Sequence, residues 1–338
     1  MSAVAHHPDP AAAPAPDPEA LTSSFPRHDD LMSAEERRRW RRPVGWKAAR
    51  DLGLIWLQIA AGIGLYLALP HPATLVVGFV LVAGGQHGLG LATHEFAHRL
   101  VLPDRPRLND WIGEWLFAAP GGLPFKIYRH RHFAHHLLVS TAEDTKQIYR
   151  RDYTGGRMVL EVLRALAGID YLEQVAGALR REGADQAKDK QPERRASLVS
   201  LGVVQLVIAA ALGAVDPWLY LLLWLLPLVT LAMLFSKFRS SVEHLPYLAE
   251  RTHGPESPYF GGTAGPFVRS VRASLAERLC FSKINFCYHA AHHLWPKVSY
   301  QALAILDARM AAAGAFDDPR LARGPSYLAT LRDFVRGR

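Results

Sequence analysis

The chain has 338 residues, 49% of them hydrophobic and 21% charged, which is enough to build a core and too apolar for a chain disordered throughout. Its net charge of +8 does not point to nucleic acid, because the lysines and arginines cluster beside long uncharged runs instead of forming a basic face with interleaved aromatics. Cys280 and Cys287 are the sole cysteines, and they exclude a disulfide scaffold and a cysteine-ligated zinc site.

In chain order, residues 1–35 are rich in Ala, Pro, Asp and Ser, without apolar periodicity or a secretory signal, and are expected to form a disordered cytosolic tail. Residues 52–69 and 73–93 then form two uncharged runs, each close to the ~20 residues a bilayer crossing needs, with Pro70, His71 and Pro72 as the turn. A second pair, 197–213 and 217–235, is separated by Ala214, Val215 and Asp216. Four spans in two hairpins predict an all-α integral membrane fold, with a membrane domain over 36–310 and a C-terminal cytoplasmic tail over 311–338. The run 197–213 is short enough that a buried helix of a soluble protein is its alternative.

Orientation follows from the basic flanks. Arg37, Arg38, Arg39, Arg41, Arg42, Lys47 and Arg50 precede the first run, Arg194 and Arg195 the third, and Lys237 and Arg239 follow the fourth. Neither short turn carries a Lys or Arg. Both termini, residues 94–196 and everything after 236 are therefore expected on the cytoplasmic side. Trp218 suits the opposite interface. Residues 111–125, broken by Pro120-Gly121-Gly122, and 158–179, with apolar residues spaced among charges, read either as helices along the membrane surface or as a packed cytosolic helix pair.

Among sixteen histidines, eight fall into three clusters, all on the cytoplasmic side. His94 and His98 stand where the second run emerges, and i, i+4 spacing puts both imidazoles on one helix face. His132, His135 and His136 form an HxxHH pattern, which His289, His292 and His293 repeat. On a helix the first His lies near both later ones, while the adjacent pair diverges by about 100°. One such element can thus serve two neighbouring metal ions, and eight imidazoles exceed the needs of one ion. Imidazole suits zinc, copper, iron and nickel alike. His87, ~10 Å deeper than His94 along the same helix face, is expected either in a substrate tunnel or in a helix-packing hydrogen bond.

The order hairpin, HxxxH, HxxHH, hairpin, HxxHH resembles the membrane fatty-acid desaturase and hydroxylase superfamily over most of residues 50–310. Leu108-Asn109-Asp110-Trp111, Tyr128-Arg129-His130-Arg131-His132 and Asp144 also look like that family, and Asn285 to Pro296 is the most similar stretch. Ala291 stands where the family often has Glu. The resemblance implies two non-haem irons held by the histidine clusters in a cytoplasmic helical cap, O2 as co-substrate, and an external ferredoxin or cytochrome b5-type donor with its reductase. It implies a fatty-acyl desaturase, with a hydroxylase or ketolase as the alternative on the same site. Glu95, Asp110 and Asp144 would accept ring N–H groups of the ligand histidines. His244, after Glu243, is similar to a further ligand of several family members, and Asn285 would reach the metals through a water from the helix face of His289.

Two rival readings compete with this one. His94 to His98 also satisfies HExxH, in which Glu95 would be the general base of an intramembrane zinc protease, but that reading leaves both HxxHH clusters unused. A metal transporter would place polar residues at mid-span, where these runs have almost none.

Overall fold

The structure is a computed structural model, described for residues 31–139, 144–146, 148–179, 191–245, 267–318 and 320–337. Four helices are long and apolar enough to cross a membrane: Gly45–Ala68, Pro72–Ala97, Pro192–Gly213 and Leu221–Glu243. The first is α2 and the second α3, preceded by the short α1 (Ala34–Trp40). The His71 ring accepts the Ala73 N–H while Thr74 caps back, and Pro72 fills the first turn, where a missing N–H does no harm. α2 and α3 run antiparallel in close contact. A Cβ on Gly62 would lie 2.8 Å from the Gly78 carbonyl oxygen, and one on Gly78 would lie 2.6 Å from that of Gly62, so glycine is required at this crossing.

After α3 come α4 (Pro106–Ile112), which continues as a π-helical turn over Gly113–Ala118, then α5 (Phe125–Leu138), α6 (Gly155–Leu166), α7 (Ile169–Leu179) and α8 (Gln191–Gly213). The last span is segmented into a π-helical turn (Leu221–Leu225), α9 (Leu226–Val229) and α10 (Leu231–Glu243). Pro227 and the irregular backbone of Thr230, at φ −117° and ψ −84°, cause the breaks. The chain continues through β1 (Val268–Val271), α11 (Leu275–Cys280), α12 (His289–Leu294), α13 (Tyr300–Ala312), β2 (Leu321–Gly324) and α14 (Tyr327–Val335). β1 and β2 pair in parallel, Val268 opposite Leu321.

The fourth span outruns its expected end at Phe235 because its charges are paired inside the protein. Lys237 is fully buried, with Nζ 2.6 Å from Asp170 and 2.5 Å from the Glu161 carboxylate, and it donates to the Glu161 carbonyl at 2.9 Å. Arg151 joins the same carboxylates at 2.8 and 3.1 Å. α6 and α7 thus turn charges inward, while Leu160, Leu163 and Leu172 are more than half exposed on their outer side. In water that arrangement would be inverted, whereas a helix lying on lipid needs it.

Two boundaries drawn from sequence are corrected. Residues 31–35 do not belong to a tail: Met32 is 1% exposed among Trp295, Leu303, Leu306 and Met310, and Glu36 holds Arg309 at 2.7 Å. Residues 1–30 lie outside the described residues. Residues 311–338 are likewise no tail, since β2 pairs with β1 and Tyr327 is fully buried. A short chain end without long apolar periodicity gave no sign of that packing.

Replacing Lys237 by Met should leave Glu161 and Asp170 with only the less buried arginines as partners and destabilise the protein by about 2–3 kcal/mol, less than the loss of a buried charge's sole partner. Arg42→Ala, which breaks an ion pair about two-thirds exposed on both sides, should cost under about 1 kcal/mol. Thermal unfolding in detergent measures both.

Candidate metal centre

Nine histidines converge from four directions. His94 lies in the last turn of α3 and His98 is its C-cap; His132, His135 and His136 lie on α5; His289, His292 and His293 lie on α12; His244 caps the C-terminus of α10. α12 is short because Pro296 follows it, and that turn alone carries the whole cluster.

The ring nitrogens sort into two groups. One takes His94, His98, His132, His136 and His292, and the other His135, His244 and His293, with ligand atoms in each group all within 4.8 Å of one another. In the first, His132 Nε2 stands 2.7 Å from His98 Nε2 and 3.0 Å from His136 Nε2, which is 3.1 Å from His292 Nε2. In the second, His135 Nε2 and His244 Nε2 are 3.1 Å apart, and His289 Nε2 adjoins them 3.5 Å from His244. Helix periodicity does the sorting. His132 and His136 face the first group with His135 turned to the second, while His289 and His293 face the second with His292 turned to the first.

The Nδ1 partners fix which nitrogen carries the proton. His135 Nδ1 donates to Asp144 at 2.8 and 3.0 Å, and His244 Nδ1 donates to the Ser240 carbonyl at 2.9 Å. Their Nε2 lone pairs therefore face each other. Burial lowers both rings well below the usual histidine range, so a proton between them is disfavoured. Burial, assisted by His135, also holds His136 down to about 3. Nε2 of His94 and of His293 are buried with no hydrogen-bond partner among the described residues. A set of neutral, converging lone pairs fits a bound cation, and these side chains are compatible with a metal site.

Three buried carboxylates stand behind the rings. Asp144 accepts the Tyr149 hydroxyl at 2.5 Å and the Lys146 N–H at 2.9 Å. Glu243 faces His289 Nδ1 at 3.6 Å, accepts the Tyr327 hydroxyl at 2.7 Å and pairs with Arg239. Glu95 lies 3.2 Å from His94 Nδ1, on the opposite side of that ring from Nε2, a poor place for the base of an HExxH protease. Tyr149, Tyr327 and the contact of Glu243 with His289 were not foreseen. Tyr327 is 84 residues from Glu243, and no local pattern links them.

Two expected partners are placed elsewhere. Asp110 bonds Arg99 at 2.7 Å and Arg129 at 2.8 Å instead of a histidine. Burial opposes its charge, but the two guanidinium groups win and hold the carboxyl below the carboxylate range. Asn285 is not on the helix of His289: its φ of 57° precedes α12, and its side chain bonds Arg278 at 3.2 Å and the Tyr300 carbonyl at 3.3 Å. His87 lies on the wall of a cavity of about 420 Å³ that also touches His94, His132, His135 and His289, and its Nδ1 makes a packing hydrogen bond to the Cys280 carbonyl at 2.8 Å.

Fold and site together define a multi-span membrane protein with a histidine cluster compatible with a metal site at the ends of its spans. The fatty acid desaturase family model matches residues 69–323, and the chain belongs to that family. It is also similar to a β-carotene ketolase of Paracoccus sp. (strain N81106 / MBIC 01143), 25% identical over 268 residues, covering 77% of this chain and 86% of the relative. Family and relative mark an oxidoreductase of the desaturase and ketolase type.

Outer partners of metal-bound histidines are worth about 10 to 100-fold in metal affinity. Asp144→Asn should therefore speed metal loss to a chelator by that order, and Tyr327→Phe by a smaller factor, with the far-ultraviolet helix signal unchanged. Metal stoichiometry against time after chelator addition checks this.

Proposed function

We propose that the protein is an oxygen-dependent di-iron enzyme of lipid chains, acting first of all as a fatty-acyl desaturase that introduces a C=C bond. The observation that carries this reading is the cavity meeting both histidine groups, which offers an elongated substrate one stretch of wall beside the nitrogens. The nine histidines would hold two irons, five rings to one and four to the other. When bound, the iron pair supplies O2 reduction and removal of hydrogen from an unactivated carbon.

The protein's own side chains bind and shield that carbon. Leu91, Leu123, Ile127 and Met233 line the apolar wall. Phe286 packs edge-on against His94 at 4.6 Å between ring centres, and Tyr128 stacks on His132 at 5.6 Å, so the inward ring faces are covered by carbon instead of water. The reductant would be a separate ferredoxin or cytochrome b5-type protein. With the basic flanks on the cytoplasmic side, both termini and the metal centre would face that donor.

A second reading, oxidation of a ring carbon to alcohol or ketone, is favoured by the ketolase relative. Expression in a host that makes both acyl lipids and carotenoids separates the two by mass spectrometry. The first reading expects acyl products lighter by two hydrogens, and the second carotenoid products with added oxygen. Turnover without O2, or with zinc as the sole metal, would remove both. His244→Ala should lower iron content and turnover as severely as His292→Ala. Reporter fusions at Pro72 and Asp216 should report the outer face, and fusions at Gln191 and the C-terminus the inner one.

A further inference from the structure

α11 meets the spans far from their inner ends. A Cβ on Gly84 would lie 2.7 Å from the Leu279 carbonyl oxygen, and the Gln58 side-chain amide donates to that oxygen at 3.5 Å. Gly84 follows Pro72, at the turn between α2 and α3, by twelve residues, and Gln58 precedes Ala68, at the other side of that turn, by ten. At 1.5 Å per residue the two counts put Leu279 about 18 Å and about 15 Å from the turn. A hydrocarbon core is about 30 Å thick, so the C-terminal end of α11 stands near its middle. The residues that follow climb the same scale. His87, about 22 Å from the turn, donates to the Cys280 carbonyl, and a Cβ on Gly88, about 24 Å from it, would lie 2.5 Å from Lys283 Cδ. Phe286 packs on His94, about 33 Å from the turn. The descending limb starts level with this climb, because the Val271 N–H donates to the Cys287 carbonyl at 2.8 Å.

Backbone at that depth has no water to bond, and the last carbonyls of a helix have no partner within it. Here the spans supply the partners. The Leu279 carbonyl accepts from Gln58 and from Lys283 Nζ at 3.1 Å, and the Cys280 carbonyl accepts from His87. Gln58 and His87 are polar side chains within otherwise apolar runs, and these contacts give both a reason to be there. The charges of the segment are also paired inward. Glu277 accepts the Ser274 and Leu328 N–H groups at 2.9 Å each, and Arg278 donates to the Ala273 carbonyl, Asn285 and Tyr288 at 3.2 to 3.3 Å. Carbon is what faces outward: Leu275 is 85% exposed, Leu279 52%, and Leu328, bonded to Glu277, 59%.

We propose that residues 272–286 form a re-entrant segment that dips into the bilayer beside α3 and returns to the face it left, with Leu275, Leu279 and Leu328 against lipid acyl chains. In water such a leucine surface would be a liability, whereas at hydrocarbon depth it needs no cover. The satisfied carbonyls and inward charges meet the condition for non-helical backbone at membrane depth. The number of crossings stays at four. The proposal concerns how the chain sits in lipid and does not depend on which carbon is oxidised.

The test uses the full chain in phosphatidylcholine vesicles, with Cys280→Ala as background and the buried Cys287 left in place. Single nitroxide labels go on Leu275→Cys, Leu279→Cys and Leu328→Cys. Leu57→Cys on the exposed face of α2, next to Gln58, is the lipid reference, and Lys297→Cys, exposed before α13, is the water reference. Electron paramagnetic resonance reads collisions with oxygen, which concentrates in hydrocarbon, and with a polar nickel chelate, which hydrocarbon excludes. The oxygen-to-nickel ratio at Leu275 and Leu279 should match that at Leu57 and exceed that at Lys297 by about 10-fold. Leu328 should lie on the Leu57 side of the midpoint. An unchanged far-ultraviolet helix signal confirms that each variant is folded, and should the Leu279 variant fail to fold, Leu275 and Leu328 decide. Ratios equal to that of Lys297 would mean a water-filled cleft, and protection from both colliders would mean a second copy or another protein on this face. Either result overturns the proposal, as does a Leu57 ratio equal to that of Lys297, which would remove the depth scale itself.

Discussion

The constraint on which the rest depends is the facing of His135 and His244. Each has its Nδ1 committed as a donor, to Asp144 and to the Ser240 carbonyl, so two lone pairs meet at 3.1 Å in a buried space. Such a contact is repulsive unless a cation sits between or beside the nitrogens. The first group brings four further Nε2 atoms into a chain of 2.7 to 3.1 Å contacts, each needing one ring to carry its proton on Nε2 or a cation in its place. A framework that holds so many neutral imidazoles together without a positive charge opposes itself. The helix ends that deliver them must therefore be fixed by other forces, and the buried carboxylate and tyrosine partners, together with the bridge joining His244 to Val268, provide that fixation.

The spans provide the remainder, and their chemistry is matched to lipid. Leu57, Val76, Leu206 and Val207 point outward with more than half their surface exposed, while polar residues turn in. α6 and α7 take this furthest, with Glu161 and Asp170 turned inward to Lys237 and leucines outside. An enzyme held in this way shares a phase with apolar substrates, and its cavity lies within the same helices that anchor it. Binding then requires no transfer of a long hydrocarbon through water.

Much of this was legible in the sequence, for reasons that differ by residue. The four spans announce themselves because hydropathy over some twenty residues is a strong signal, and eight of the histidines because spacings of three and four residues project onto one helix face, while His244 was legible through the family resemblance. Their division into two groups follows from the same 100° step. Asp144 was legible through the family resemblance. Asp110 was misassigned because sequence cannot distinguish a carboxylate that meets imidazole from one that meets Arg99 and Arg129. Asn285 failed for a backbone reason: a positive φ ends any helix register drawn through it. The span end at Phe235 was drawn short because Lys237 and Arg239 read as flanks, although both are charge-paired within the protein.

The largest omission was the C-terminal segment, and its place in the structure changes what counts as the working unit. The family match ends at residue 323, yet Tyr327 lies beyond it and donates to Glu243, which faces His289. β2 brings the chain back beside β1, and β1 in turn bridges to His244. A segment without a ligand of its own thus stands one residue behind the second histidine group at two points, through Glu243 to His289 and through Val268 of β1 to His244. That group is also the more enclosed. His135, His244 and His289 are each at most 2% exposed, while His98, His132 and His136 in the first group are only partly buried. Enclosure on one side requires material to enclose it, and β2 at the end of the matched region with α14 beyond it supplies that material, so the chain after residue 323 backs the second histidine group through Tyr327.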